Sequence, residues 1–271
     1  MNPDILVLTP TLGNRKSIQR TISSVETVGN GRVKHIIIAP FKEVASLQVQ
    51  FPELEILAEP EDCNGIYAAL NFAFKKYSED YKYVTYINDD DYWLSDFKEL
   101  FEILDSNAEI DVAYGRVNYV DETGKVIGEQ TSSPRYKSFK LLLKCNVVLF
   151  TQQATLIRSD LFNKIGGFDE SYRLIADTNF WMQAIDLGAT LKYKKNICAA
   201  YTIQVGQLSS NRKLQKEEHI RLLSGISFNQ LPLLVELLLF RILNTRIYIN
   251  RFFKNKGLKR MKDLFHSNSE L

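Results

Sequence analysis

Cysteine is scarce and poorly placed for cross-linking: Cys63, Cys145 and Cys198 are odd in number, far apart and in no CxxC or Cys/His spacing. This argues against a disulfide framework and a zinc centre, and it suits a reducing compartment, the cytoplasm. Long apolar runs are missing as well. The strongest, "LPLLVELLLFRIL" from Leu231, meets Arg241 and Arg246 too soon to span a bilayer. The opening "MNPDILVLTPTLGN" lacks a basic region followed by an apolar run and a small-residue cleavage site, so it reads as a first strand and not as a signal peptide. There is no low-complexity linker and no internal repeat. Acidic residues are absent from one stretch: Arg241 to Lys262 holds eight Lys or Arg and no Asp or Glu, which within a net charge of +2 leaves the remainder near −6. The two parts therefore suit different partners.

What the chain does contain is alternation. With 271 residues and an apolar fraction of 45%, it can bury one large α/β core or two smaller ones. The β-branched runs "DILVLT", "VKHIIIA", "LEILAE" and "YVTYIN" alternate with helical patterns at about 14–28, 65–77 and 95–105. This repetition predicts an α/β fold, a mixed, mainly parallel sheet flanked by helices, with ligands beyond the carboxyl ends of the strands. Past Asp111, "VAYGRVNYV" and "VIGEQ" flank the turn "DETGK" and predict an antiparallel hairpin. From Leu214 the pattern is almost wholly helical. The expected organisation is a domain over 1–210, with halves 1–110 and 111–210, and a basic amphipathic helical extension over 211–271.

Three stretches carry unusual chemistry. "YINDDDYW", Tyr86 to Trp93, sets three carboxylates side by side at a strand end. Adjacent carboxylates raise one another's pKa, so water must screen them or a cation must sit among them. A hard divalent ion such as Mg²⁺ or Mn²⁺ takes such oxygen ligands; a solvated acidic turn, or an N-cap for the helix near Ser95, explains the same residues. In "EPEDCNGIYAALNFAF", Asp62 precedes Gly65 at a helix start whose free amides suit a phosphate or a sugar hydroxyl, or form only a loop and cap. Asn71, two turns on, faces ligand or solvent. In "FTQQATLIRSDLFNKIGGFDESYRLIADTNFWMQAIDLG", Asp177 opens a helix with Phe180, Trp181, Ile185 and Leu187 on or near its apolar side. An Asp there is a cap or, with its proton affinity raised by partial burial, a general base.

Together, in this order and at these intervals, the segments resemble the family 2 glycosyltransferases of the GT-A fold, of the bacterial cell-surface polysaccharide type. "TPT", Thr9 to Thr11, matches the family's first-strand end, which lines the nucleotide site. "EPEDCNGIYAALN" is similar to its "EPDxGIYDAMN" segment, "INDDDYW" to its "LNSDDxY" or "LDxDD" form of the DxD motif, and the stretch containing "QQATLIRSD" and "IADTNFW" to its acceptor-side segment. The resemblance covers about residues 4–190. It implies an inverting, metal-assisted transfer of a sugar from a nucleoside diphosphate donor, a UDP-sugar foremost, to a hydroxyl of a glycan or lipid-linked acceptor. On this resemblance Thr9, Pro10, Thr11, Asp62, Gly65, Asn71 and Asp89 bind the nucleotide sugar, and Asp90 and Asp91 hold Mn²⁺ or Mg²⁺. Asp177 is the base, and Trp181 and Gln153 stand on the acceptor side. Trp93 and Trp181 are sugar-stacking walls or ordinary packing.

The chain also departs from the family pattern. After the second strand the family commonly has an acidic "DDGS" or "DGxS" turn that helps hold base or ribose, and here "APFKEVAS" stands instead. Ala68 replaces the Asp of "GIYDAMN", Gln152 stands where many relatives have His, and Asn88 takes the first acidic position of "LDxDD". A nucleotidyltransferase of the same broad fold typically has a glycine-rich basic loop, whereas "TPTLGNRKS" has one Gly. The alternative from another class is a non-catalytic nucleotide-sugar or glycan-binding domain. Segment 231–265 mixes Phe, Ile, Leu and Met with Lys and Arg, which suits the anionic inner face of a membrane, or packing on the catalytic domain or a second subunit. No nucleic-acid-binding motif accompanies its charge, so nucleic acid is not an expected partner.

Overall fold

The run ILVLTP has no polar side chain before Thr9, and in the computed structural model of the chain it forms β1 (Ile5–Pro10), buried on both faces. Double burial of this kind marks the middle of a sheet covered on both sides. β2 (Val33–Ala39) and then β3 (Glu55–Ala58) extend the sheet in parallel on one side, and β4 (Tyr83–Tyr86) pairs in parallel on the other. The remaining strands are β5 (Tyr92–Trp93), β6 (Val112–Val120), β7 (Val126–Glu129), β8 (Thr155–Arg158) and β9 (Leu191–Thr202). The order is β3-β2-β1-β4-β8-β6-β9-β5, with β7 paired to β6 as the expected hairpin. β8 runs antiparallel between β4 and β6, so β6 and β9 point the same way as the first four strands. The structure describes residues 2–204, 207, 211–226 and 230–253.

Alternation along β1 sorts the layers, since successive side chains point to opposite faces. Ile5 and Val7 meet α4 (Lys98–Ser106) and Val25 of α1 (Ile18–Gly29), while α2 (Phe41–Gln50) packs on Ile37 and Ala39 of the same face. Leu6 and Leu8 face the larger core of α3 (Ile66–Tyr77), α5 (Phe139–Lys144), α6 (Ser159–Ile165) and α7 (Ala176–Asp186). In α1, Ile18, Ile22 and Val25 are buried at helical spacing, and the helix ends at Asn30 in the left-handed conformation. It begins four residues later than its sequence pattern predicts, because residues 11–17 form a loop at the carboxyl edge of the sheet.

The C-terminal extension is tied to this domain. α8 (Arg212–Leu222) is capped by the Asn211 side chain, which accepts from the Leu214 N–H at 3.1 Å. Its Glu218, 5% exposed, accepts from the backbone N–H groups of Arg173 (2.7 Å) and Leu174 (3.0 Å) and so fixes the approach to α7. α9 (Gln230–Leu243) packs against the α5 region through Phe240.

Candidate active site

β4 ends at Tyr86, and the chain then turns through Asn88, Asp89, Asp90 and Asp91 at the carboxyl edge of the parallel strands. Asp91 points inward and is 1% exposed. Its Oδ1 accepts from the Thr202 N–H (2.8 Å), and its Oδ2 from the side-chain amides of Gln153 (2.8 Å) and Asn88 (3.2 Å). Burial and the charge of Asp90 raise its pKa against these donors, which lower it. The main chain of the turn is held too: the Thr21 hydroxyl of α1 donates to the Asp91 carbonyl at 2.6 Å, and the Thr202 hydroxyl donates to that of Asp90. Asp89 accepts from the Thr11 hydroxyl at 2.6 Å, and burial raises its pKa. Between Asp89 and Asp90 lies Arg15, carried in by the 11–17 loop; its guanidinium pairs with Asp90 Oδ2 and lies 3.4 Å from Asp89 Oδ1. The side-chain amides of Gln204 (2.7 Å) and Gln207 (3.0 Å) donate to the same Asp90 oxygen. In this structure the cation among the carboxylates is thus Arg15.

A second pole stands on the face of the sheet covered by α3 and α7. Asp177 sits in the first turn of α7, half-buried, and its Oδ1 accepts from the Thr178 N–H (2.7 Å) and from the Tyr67 hydroxyl (3.3 Å). Burial lifts its carboxyl from 3.8 to about 6, with those two donors opposing the rise. Tyr67 comes from α3, and its hydroxyl neighbours that of Tyr86, whose pKa is raised by burial and by the charges of Asp177 and Asp91 together. Two buried tyrosines therefore link the acidic turn to Asp177. A cavity of about 290 Å³ opens at the start of α3, bounded by Gly65, Tyr67, Arg173, Leu174 and Leu214.

A family model described as "Glycosyl transferase family 2" matches residues 6–166. The chain belongs to this family. Solved structures agree in fold. S. aureus TarS 1–349 in complex with UDP-GlcNAc gives a TM-score of 0.60 at 15% identity, over 89% of this chain and 72% of that one. Mannosyltransferase PcManGT from Pyrobaculum calidifontis, in complex with GDP-Man and Mn²⁺, gives 0.58 at 13% identity, over 83% of this chain and 64% of that one. At such identities the likeness establishes the fold, which is GT-A with added C-terminal helices. No curated protein matches the sequence.

The expected site residues of this family 2 member fall into two groups. Thr11, Asp89 and Asp90 meet at the acidic turn and Asp177 stands at the start of α7, with Pro10 at the end of β1 and Gly65 and exposed Asp62 at the start of α3. The others serve the framework. The Thr9 hydroxyl is buried against His35 (2.9 Å), whose imidazole is pushed down to about 3 by burial. Asn71 is turned to neither ligand nor solvent: its amide brackets the backbone of Phe168 (both bonds 2.8 Å) and donates to Glu170 (2.8 Å). Gln153 braces Asp91 from the interior. Trp181, expected on the acceptor side, is 2% exposed, with Phe150 and Phe180 packed on it at ring distances of 5.2 and 5.1 Å. No face is open to a sugar. Trp93 is likewise stacked on Phe97 at 3.8 Å.

Sequence reasoning missed Arg15, Tyr67, Thr202, Gln204, Gln207 and Glu218. For Arg15 there was a signal, a basic residue in the loop after the first strand; the others depend on distant segments meeting. The missing acidic turn after β2 is replaced directly by α2, whose Pro40 entry leaves Glu43 in the first turn. Gly13, at φ +74°, lies so close to Glu43 that a Cβ would be 3.0 Å from its carboxylate.

As a metal centre the turn has the right chemistry, hard carboxylate oxygens. Both oxygens of Asp91 take N–H donors, whereas the described donors to Asp90, from Arg15, Gln204 and Gln207, all meet Oδ2. Among the described residues no group of three or more His, Cys, Asp or Glu is arranged to hold one ion.

Proposed function

We propose that this glycosyltransferase moves a sugar from a nucleoside diphosphate donor, a UDP-sugar, to a hydroxyl of a glycan or lipid-linked acceptor, with inversion, in surface polysaccharide or glycan biosynthesis. The observation that carries this reading is the pairing of the acidic turn with a proton acceptor, Asp177, whose carboxyl is lifted to about 6. A base with that pKa is mostly ionised at neutral pH yet still takes a proton.

Asp177 receives the proton of the acceptor hydroxyl as its oxygen bonds to the anomeric carbon. The bond from that carbon to the diphosphate oxygen breaks on the opposite face, and the electron pair leaves with the nucleoside diphosphate. Tyr67 holds Asp177 in place, and Glu218 fixes the backbone ahead of it. Thr11 and Asp89 meet the ribose side of the donor, and Glu43 supplies the carboxylate that the family's acidic turn would otherwise bring to base or ribose. The cavity at Gly65 receives the donor sugar. Asp90, with Asp89, would hold Mn²⁺ or Mg²⁺ once Arg15 swings aside, and Asp91 keeps the turn in shape. Such an ion stabilises the charge developing on the leaving diphosphate.

The test is a panel of UDP-, GDP- and dTDP-sugars with Mn²⁺ or EDTA, read by thermal shift and nucleoside diphosphate release. One donor should stabilise the protein and be turned over slowly, with Asp177→Asn binding it but not transferring. A protein that no donor stabilises would leave the non-catalytic alternative in its place.

A further inference from the structure

Helix α9 and the helical residues 245–253 that follow it are apolar on two opposite sides. One side is occupied. Phe240, Asn244 and Ile247, spaced four and three apart, are buried against the catalytic domain, where Asn244 exchanges hydrogen bonds with the Ser132 backbone at 3.0 and 2.9 Å. The other side is open: Leu231 is 74% exposed, Leu238 60%, Ile242 59% and Phe253 66%. Nine of the eighteen large exposed hydrophobic residues among those described fall within 231–253. A helix apolar all round belongs in a core or in lipid, and a continuous exposed stripe marks an interaction surface. An open groove of about 570 Å³, lined by Val147, Leu237, Ile242, Tyr248 and Ile249, carries the apolar surface onto the domain.

We propose that this face docks in the plane of an anionic lipid bilayer. Charge decides between lipid and a second copy. From Arg241 to Lys262 the sequence has eight basic residues and no acidic one, those beyond 253 lying outside the described residues. Arg246 and Arg251 are tied to Glu129, but Arg241 lines the open groove and five further basic residues follow in sequence, so two such segments brought together would oppose like charges, whereas anionic headgroups neutralise them. The one acidic residue of 230–253, Glu236, is held by Arg135 on the domain side at 2.9 Å. No helix among the described residues is long and apolar enough to cross a membrane, so the helix lies in the interface with its stripe in the acyl region.

The experiment floats the full chain with vesicles of phosphatidylethanolamine and phosphatidylglycerol, or of phosphatidylcholine alone, with light scattering in parallel. Wild type should float with the anionic vesicles and less with the neutral ones. The double substitution Leu238→Glu, Ile242→Glu touches only exposed positions and should reduce flotation on the order of tenfold at unchanged melting temperature. Wild type left at the bottom of the gradient would overturn the proposal. So would a variant that floats as wild type does, or a wild-type dimer that the substitution splits without any vesicle binding.

Discussion

Asp177→Asn separates the two things burial does to this carboxyl. Its pKa is raised in the folded protein from 3.8 to about 6, so the folded state holds the proton more tightly than the unfolded chain. The stability this contributes is complete below 3.8 and is lost as pH rises through 6. Above that window the native protein maintains a half-buried anion. A shift of roughly two pKa units at about 1.4 kcal/mol each sets the cost near 3 kcal/mol. An amide removes that cost and still accepts from the Thr178 N–H, although it forgoes about 0.3–1 kcal/mol of attraction between a carboxylate and the helix N-terminus. The variant should therefore be about 2 kcal/mol more stable at pH 8, roughly 4 °C in melting temperature for a chain of this size, and indistinguishable at about pH 3. Transfer should be lost, and the wild-type rate should fall on the acid side with a midpoint near 6. Melting curves at both pH values and a pH–rate profile read all of this. A variant less stable than wild type at pH 8 would refute the buried-anion argument, and a flat rate between pH 5 and 7 would refute the base assignment.

Gly167→Ala should destabilise by about 1–3 kcal/mol in urea unfolding, because φ is +90° and the new Cβ would stand 2.6 Å from Asn71 Oδ1. Trp181→Ala should lose about 3–5 kcal/mol of stability, as a core truncation does, and at a temperature where it stays folded should leave the acceptor KM unchanged. Arg15→Ala should let Mn²⁺ bind without nucleotide on the order of tenfold more tightly, about 1.4 kcal/mol, by paramagnetic resonance titration; an unchanged titration would show that Arg15 does not stand in the ion's place. Glu43→Gln should raise the donor KM with kcat held, and an unaltered KM would remove Glu43 from the donor site.

β1 to β4 and β6 were legible as runs rich in β-branched, aromatic and other apolar residues. "VKHIIIA" coincides residue for residue with β2, and "VAYGRVNYV" with β6. β9 was not legible. Its first half, "LKYKKN", is lysine-rich and only partly buried, and becomes a strand by pairing in parallel with β6. The same difference runs through the site. Motif residues could be named because their types carry chemistry, but their partners could not. The "GIYAALN" and "GGFDE" segments are joined through Asn71 and Phe168, and "QQA" meets "DDD" through Gln153 and Asp91. Each pairing crosses 60 or more residues. A residue such as Asn71 then reads as ligand-facing when its amide is needed to close a loop.

The acidic turn shows why this matters for mutagenesis. Substituting Asp91 by Ala would abolish activity whether or not Asp91 ever touches an ion, because its carboxylate gathers Thr202, Gln153 and Asn88 around the turn. The informative comparison is Asp90→Asn with Asp91→Asn. At position 91 an amide sets its N–H₂ against existing N–H donors in a site 1% exposed, so the melting temperature should fall by the equivalent of about 1–3 kcal/mol without any metal or donor present. At position 90 the described donors, Arg15 and the side-chain amides of Gln204 and Gln207, all meet one carboxylate oxygen, and the oxygen of an amide placed there can still accept from them. That variant should fold normally and lose Mn²⁺-dependent donor binding. If the two behave alike, in melting and in metal response, the division of the turn into an ion-holding side and a structural side is wrong.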